Sequence, residues 1–327
     1  MNYDDTYITN RALELCGEYS ENEIARIISD EVGQVVSRDV VHGRLYRRKE
    51  QSGLEEKPRP VLPYFNKYRE YYLKEKLPEK KVVLDHSRGL IKILALNDLH
   101  TPFQHEAALE KALVENSTAD IVVTSEISDM YAETSFAKEM HVSFEDEVEE
   151  IIRWYEYLSE NFPVTYVVRS GHDRRLTKAI TSRIPTTYLW MIDTDLLELL
   201  ATPFSNIILS DKQWYLINDA LFTHLDKHSN AIDMSSSVKV NRWIQNWKML
   251  LGIPEYKVLV QAHGHHSGLI NYPDLQLVET GCLQQIPQWV LAKLPMLAWT
   301  WGWATVLQRN GVTDRNATRV ITYTETN

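Results

Sequence analysis

The chain has 327 residues and a formal net charge of −10, with 44% hydrophobic and 24% charged residues. This length accommodates one large domain and a small one, and the composition is that of an ordinary globular protein. No apolar run approaches the roughly 18 residues of a membrane-spanning helix, and the first residues are acidic and polar, so we expect neither a transmembrane helix nor a secretory signal. Two cysteines, Cys16 and Cys282, cannot form a disulfide framework, and we expect a cytoplasmic protein.

Residues 8–50 carry the signals of three short helices. A capping box at residues 20–23 opens the second helix, which places Ile24, Ile27 and Ile28 on its inner side. The third helix, 38–49, has only one acid, and its basic residues include Arg38, Arg44, Arg47 and Arg48.

A small all-α tri-helical unit with a basic last helix resembles a helix-turn-helix module. The resemblance implies that residues 1–50 contact DNA or RNA through the four arginines of the third helix. The alternative is a helical appendage with a solvated basic face, because acids outnumber bases 10 to 7 across residues 1–50. The acidic net charge restricts any nucleic-acid binding to such a local patch.

Residues 51–90 form the expected linker between two domains. The region is highly charged and contains Pro58, Pro60, Pro63 and Pro78, a composition typical of extended or loosely packed segments. Aromatic residues between 64 and 72 indicate that part of it lies on a domain surface, and their spacing also fits a short amphipathic helix.

From residue 91 to 327 the sequence alternates between apolar strand-like runs and amphipathic helices. This alternation predicts an α/β domain in which a two-sheet sandwich is flanked by helices. We expect the acidic run 145–150 in the second helix to be a solvated face. The expected strands are 91–96, 121–124, 164–168, 207–209, 214–217, 221–223, 258–261, 275–278, 304–307 and 320–323, and the expected helices are 106–115, 144–161 and 238–251.

Carboxylates and imidazoles follow several of these strands. Five of the 11 histidines belong to this set. Mixed carboxylate and imidazole ligation suits manganese, iron, zinc or nickel rather than calcium. Two such ions close together can clamp a phosphate and generate a hydroxide nucleophile. In chain order the set is Asp98, His100, Glu126, Asp129, His172, Asp173, His224, His263 and His265.

The order of these motifs resembles the calcineurin-like metallophosphoesterases, over about residues 91–307. That family carries Asp-x-His, Gly-Asp-x-x-Asp, Gly-Asn-His-Asp/Glu, a lone His and Gly-His-x-His. Asp98-x-His100 matches the first motif fully, and Ala262-His263-Gly264-His265 matches the last at both histidines. The resemblance implies a four-layer α/β/β/α sandwich with two mixed sheets, which binds two divalent ions, with manganese preferred over iron, zinc and nickel.

The resemblance also implies a role for each matching side chain. His172 would act as general acid or charge stabiliser over the scissile phosphate, with Asp129 orienting its ring. Arg175, which follows the third motif, would contact phosphate oxygens. For the ions, Asp98, His100 and His265 would hold one, His224 and His263 would hold the other, and Glu126 would bridge them.

The implied activity is hydrolysis of phosphomono- or phosphodiesters, with nucleic acid among the candidate substrates, as in phosphoesterases of phages and mobile elements. Two positions depart from the family pattern. Glu126 stands where an aspartate is expected, and Gly171 stands where a ligand asparagine is expected. Two readings stay open: a working enzyme with a variant second site, or a nucleic-acid-binding regulator or scaffold on a degenerate phosphoesterase fold.

Overall fold

The computed structural model divides the chain into two compact units, Met1–Val61 and Leu62–Asn327. The structure describes residues 5–15, 21–32, 36, 63–79, 85–134, 142–181, 195–225, 236–286 and 299–325.

In the smaller unit, α1 (Asp5–Leu15) packs against α2 (Glu21–Val32). Both helices bury one apolar face, and Arg11 Nη2 lies 2.7 Å from Glu31 Oε1 at the edge of their contact. The predicted third helix, 38–49, lies outside the described residues, so Arg38, Arg44, Arg47 and Arg48 receive no structural account. The buried apolar residues of this unit are Ile8, Ala12, Leu15, Ile24, Ala25, Ile28, Val32 and Val36.

The larger unit alternates helices and strands along the chain. Its helices are α3 (Pro63–Lys67), α4 (Arg69–Tyr72), α5 (Glu106–Glu115), α6 (Phe144–Asn161), α7 (Arg175–Thr181), α8 (Leu196–Ala201) and α9 (Ser236–Leu251). Its strands are β1 (Leu90–Asn97), β2 (Ile121–Ser125), β3 (Val164–Val168), β4 (Ile207–Leu209), β5 (Trp214–Ile217), β6 (Ala220–Thr223), β7 (Val258–Gln261), β8 (Ser267–Asn271), β9 (Gln276–Thr280), β10 (Trp301–Arg309), β11 (Val312–Thr313) and β12 (Arg319–Tyr323).

These strands form two mixed sheets. The first has seven strands in the order β11-β10-β1-β2-β3-β4, with β12 also paired to β10. Its strands β1 to β4 are parallel, while β10 runs antiparallel to β1. The second has five strands in the order β5-β6-β7-β9-β8, in which β6, β7 and β9 are parallel.

Side-chain alternation along each strand separates the layers. In β1, Ile93 and Ala95 face the core between the sheets, whereas Leu94 and Leu96 belong to the helix-covered core on the other side. In the second sheet, Leu259 joins the cluster under α9, while its neighbours on β7 face the first sheet. Because successive residues of a strand point to opposite faces, each sheet is covered on both sides. The predicted fold class, two mixed sheets between helices, is confirmed.

Part of the expected linker region packs on the larger unit. The backbone N–H groups of Tyr64 and Phe65 donate to Glu149 of α6, at 2.9 and 3.0 Å. The hydroxyl of Tyr68 donates to Glu156 of the same helix at 2.6 Å. The aromatic run therefore forms two short helices fastened to α6 by its carboxylates. Among the described residues, no helix combines the length and apolarity needed to cross a bilayer.

Candidate metal centre

The candidate ligands leave the carboxyl ends of parallel strands. Asn97 of β1 lies opposite Ser125 of β2, so the next residues, Asp98 and Glu126, emerge side by side. The backbone ladder continues past both strands, since Asp98 N donates to Ser125 O at 3.1 Å and His100 N donates to Glu126 O at 3.0 Å. In the second sheet, β6 and β7 are also parallel, and His224 and His263 follow their ends. Carboxyl ends of parallel strands are where open α/β sheets bind ligands.

The backbone at the candidate ligands is strained. Nine described non-glycine residues have a positive φ, and five of them are Asp98 (55°), His100 (51°), Glu126 (49°), His263 (68°) and His265 (55°). Left-handed backbone is sterically unfavourable for residues with a Cβ and concentrates at functional sites. Its concentration here indicates that these loops are shaped to bring side chains together.

Three groups of possible ligand atoms converge at these strand ends: one comprises His100, Asp129 and His172, and the other two consist of the predicted metal ligands. One atom each from Asp98, His100, Glu126 and His265 lies within 4.8 Å of the others, and all four residues are buried. A second group, also within 4.8 Å, contains Glu126, His224 and His263. Glu126 is common to both groups. The structure thus brings together all six residues that the sequence predicts as metal ligands.

Charges within the site are strongly coupled. Burial disfavours a charged imidazole, but the carboxylates of Glu126 and Asp129 outweigh it and raise the pKa of His100 to about 10. Burial is likewise outweighed at His224, where Glu126 and Asp98 raise the pKa well above its ordinary value. Burial raises the pKa of Glu126, but the surrounding histidines, His172 first, bring it well below the usual range. Protons on these imidazoles thus balance the buried carboxylates when no cation does.

His265 is the exception among the buried histidines. Burial outweighs the neighbouring carboxylates and lowers its pKa to about 3. Its ring lies edge-on to His100, with centroids 5.4 Å apart, and to Trp299, at 4.1 Å. The imidazole is therefore neutral at ordinary pH, which is the form that binds a metal.

The donor set fits a divalent metal. Buried polar atoms without a hydrogen-bond partner gather here, and they include His100 Nε2, Glu126 Oε1, His224 Nδ1 and His265 Nδ1. His100 Nε2 lies 3.1 Å from Glu126 Oε2, but without hydrogen-bond geometry. Buried polar atoms left in this way are rare in proteins. Imidazole nitrogens and carboxylate oxygens together would be satisfied by manganese, iron, zinc or nickel rather than by calcium.

A second constellation borders the ligand groups. Asp129 Oδ1 lies 2.8 Å from His100 Nδ1 and 3.1 Å from His172 Nδ1. Burial opposes its charge, but the hydrogen bond from His100 and the nearby imidazole of His172 keep the pKa of Asp129 well below its ordinary value. Asp129 therefore faces His172, as the resemblance implies, and also orients His100, which the sequence analysis did not foresee. Nothing in the local sequence signals the second contact.

Arg175 lies against this constellation. Its Nη1 donates to the Asp129 carbonyl at 2.6 Å, and its Nη2 lies 2.6 Å from His172 Nε2. The guanidinium thus contacts two candidate site residues, and contact with substrate phosphate stays a prediction. Since Arg175 can only donate, the His172 ring in this state accepts at Nε2 and carries its proton at Nδ1.

The expectation that the acidic run 145–150 is a solvated face is wrong at Glu147. This residue is fully buried, and its carboxylate accepts backbone N–H bonds from Tyr131 at 2.7 Å and Ala132 at 2.8 Å. Burial raises the pKa of Glu147, and the two N–H groups oppose that rise. The bonds to two backbone donors after Asp129 explain the burial, and charge patterning along a helix cannot reveal such distant partners. Glu147 thereby fixes the loop that carries Asp129.

Comparison with known proteins finds similar solved structures only. No family model matches the chain, and neither does any curated protein. An archaeal phosphodiesterase is similar at 14% identity and a TM-score of 0.37, over 71% of this chain and 100% of that chain. Vacuolar protein sorting 29 from Cryptosporidium parvum is similar at 10% identity and a TM-score of 0.38, over 72% and 100%. Yfce, a phosphoesterase from E. coli, is similar at 13% identity and a TM-score of 0.35, over 71% and 97%. These scores are low, so the function proposed below rests on the side chains of this chain.

Proposed function

We propose that the chain is a metal-dependent phosphoesterase of the calcineurin-like type, with two divalent ions held side by side. The observation that carries this proposal is the pair of ligand groups that share Glu126. A carboxylate shared between two sets of imidazole ligands would place two ions close together, as a dinuclear centre requires. Strained backbone at five of the six ligands supports it, because such strain persists where function needs it.

The ligand groups would hold the metal ions, and His172 beside them would have a separate role in proton transfer. When bound, two divalent ions supply Lewis-acid polarisation of a phosphoryl oxygen and acidification of a water molecule. Asp98, His100 and His265 would hold one ion, His224 and His263 the other, with Glu126 between them. The remaining chemistry is proton transfer and charge stabilisation beside the phosphate.

His172 is placed for that role. Asp129 Oδ1 lies 3.1 Å from Nδ1, which leaves Nε2 as the nitrogen for the leaving oxygen. Nε2 carries no proton while Arg175 donates to it, so it would first take one from solvent and then give it to the leaving oxygen. A phosphate oxygen that draws the guanidinium away would release Nε2 at the moment when substrate is bound.

The test is hydrolysis of bis-p-nitrophenyl phosphate and of p-nitrophenyl phosphate with added manganese. We expect metal-dependent turnover that a chelator abolishes, and a loss of about 10²–10⁴ in kcat in His172→Ala. His86→Gln is the matched control, because His86 precedes β1 at the end opposite Asp98 and bonds to the Tyr166 hydroxyl. Absence of turnover of both esters with manganese, iron, zinc and nickel would refute the proposal, as would an unchanged kcat in His172→Ala. The ratio of the two rates separates a phosphodiesterase from a phosphomonoesterase.

We further propose that residues 1–50 contact nucleic acid and so direct the phosphoesterase unit to it. The described helices α1 and α2 bury a common apolar face, as a helix-turn-helix module requires, and the basic run 38–49 follows them. Retardation of labelled DNA and RNA in gels, measured across a salt series, tests this. Binding that weakens with salt and is lost in Arg44→Ala/Arg47→Ala/Arg48→Ala supports it, since phosphate contacts release counterions. Nucleic-acid binding that the triple substitution leaves intact would show that these arginines do not contact nucleic acid.

A further inference from the structure

The second ligand group has one member fewer than the first. Asp98, His100, Glu126 and His265 make four, whereas Glu126, His224 and His263 make three. The loop after β3 reaches the site through His172, but Gly171 before it offers no side chain. Its backbone angles, φ −68° and ψ −34°, are accessible to any residue, so the backbone does not require glycine there.

The two oxygens of Glu126 have different surroundings. Oε2 lies 3.1 Å from His100 Nε2 and 2.9 Å from His224 Nε2, between one histidine of each group. Oε1 is buried and has no hydrogen-bond partner. It lies 3.3 Å from Nδ1 of His172, the residue that follows Gly171 in the loop after β3.

We propose that Glu126 gives both oxygens to the metal pair. Oε2 would serve both ions, and Oε1 would serve the second ion, to which Gly171 supplies no ligand. The second group then gains a fourth donor atom from a residue that it already contains. This inference rests on the proposed dinuclear site and adds to it how the second ion is held.

The length of the side chain at position 126 is the reason that glutamate is needed to supply two oxygens to the metal pair. An aspartate at position 126 is one methylene shorter. Its backbone would be held by the hydrogen bonds between the segments that follow β1 and β2, so it would reach the bridging position with one oxygen only. A side-chain oxygen at position 171 would then be required. Positions 126 and 171 should therefore act as a compensating pair, with Glu and Gly exchangeable together for Asp and Asn.

A double-mutant cycle tests this pairing directly. The variants are Glu126→Asp, Gly171→Asn and both together, with the exposed Glu145→Asp on α6 as the matched control. The readouts are ions per chain after dialysis against manganese and the Kd of each ion by calorimetry, neither of which needs turnover. Circular dichroism and thermal melting of the chelator-treated variants confirm that each one folds.

We expect Glu126→Asp to keep the first ion and to bind the second at least about tenfold more weakly, because loss of a ligand costs no less than loss of its supporting hydrogen bond. The double variant should recover most of that loss. Gly171→Asn alone should not tighten the second ion, since Oε1 already occupies the position. The signature is strong non-additivity between the two substitutions.

Several outcomes overturn the inference. Unchanged affinity for the second ion in Glu126→Asp shows that Oε1 is not a ligand, and additive effects show that Gly171 is not its counterpart. Asp173 Oδ1 is also buried without a partner, so loss of the second ion in Asp173→Asn but not in Glu126→Asp would assign the missing ligand to Asp173 instead. Fewer than two ions in the unsubstituted chain also refutes it. The proposed function fails separately, through absence of turnover in a chain that binds two ions.

Discussion

Replacing Asp129 by Asn should weaken metal binding and slow turnover by two separable routes. The carboxylate accepts a hydrogen bond from Nδ1 of His100, a candidate ligand, and its Oδ1 lies 3.1 Å from Nδ1 of His172, the candidate general acid. Metal binding depends on the orientation of the His100 ring and proton transfer on that of the His172 ring. In the proposed site Asp129 itself does not contact an ion. The asparagine variant keeps the shape of the side chain and removes the charge, so packing changes little.

The size of the effect follows from the two contacts. A hydrogen bond to a charged group contributes about 1.5–3 kcal/mol, and loss of a carboxylate behind a ligating histidine costs about 10–100-fold in metal affinity. These ranges agree, since each tenfold change corresponds to about 1.4 kcal/mol. We therefore expect about 10–100-fold weaker binding of the ion held by His100. At saturating metal, kcat should still fall, because His172 loses its fixed orientation.

Calorimetric manganese titration and steady-state hydrolysis at saturating manganese measure the two effects independently. Asp146→Asn is the matched control, because Asp146 lies in the first turn of α6, away from the candidate ligands, and exchanges hydrogen bonds with the N-cap residue Ser143. The assigned role of Asp129 is refuted if metal affinity stays within about twofold of the unsubstituted protein, well below the expected loss. Weaker manganese binding with an unchanged kcat would refute only the role of Asp129 in orienting His172.

Three further outcomes test the fold and the charge balance of the site. In the metal-free protein the pKa of His100 is raised from 6.5 to about 10. Protonated His100 therefore stabilises the fold fully below about pH 6.5, and this stabilisation is lost as pH rises through 10. The melting temperature in a chelator should fall across this window while metal affinity rises. Gly281→Ala should destabilise by about 1–3 kcal/mol more than Gly89→Ala in urea unfolding, because both residues have a left-handed φ but only a Cβ at position 281 meets backbone, with Thr300 O at 2.7 Å; equal losses would contradict the clash. Ile93→Ala, between the sheets, should cost about 2–5 kcal/mol in the same assay, whereas the exposed Val312→Ala should stay within about 0.5 kcal/mol.

The buried strands of the two sheets could be predicted because their signal is local. β3, β4, β5 and β7 have the predicted bounds, and so do helices α5 and α6. Such strands are covered on both faces and carry near-continuous apolar runs. Strand β8 was missed since its sequence, Ser-Gly-Leu-Ile-Asn, is short, polar at both ends and exposed at a sheet edge, where pairing with β9 alone makes it a strand.

At the candidate site, the positions of the candidate residues could be predicted from the strands that they follow, whereas most of their partners, the facing pair Asp129 and His172 excepted, could not. Ligand residues stand directly after strands, so strand prediction locates them. Contacts such as that between Asp129 and His100, or between Glu147 and the backbone of residues 131 and 132, join segments whose meeting depends on the whole fold. The acidic run around Glu147 has the composition of a solvated helix face, and the backbone N–H groups that donate to Glu147 make that prediction wrong.

The places where local rules fail coincide with the candidate metal centre, and that coincidence is itself an argument for function. A left-handed backbone costs a residue with a Cβ about 1–2 kcal/mol, and burial of Glu126 and Asp98 among imidazoles adds a cost that only opposite charge offsets. A purely structural site would replace these residues by apolar ones and remove both costs. Protons on His100 and His224 provide the compensating charge in the metal-free chain, but they leave Glu126 Oε1 without a partner. A divalent cation supplies both the charge and the missing partner, so metal binding should raise the melting temperature of this chain as well as enable its chemistry.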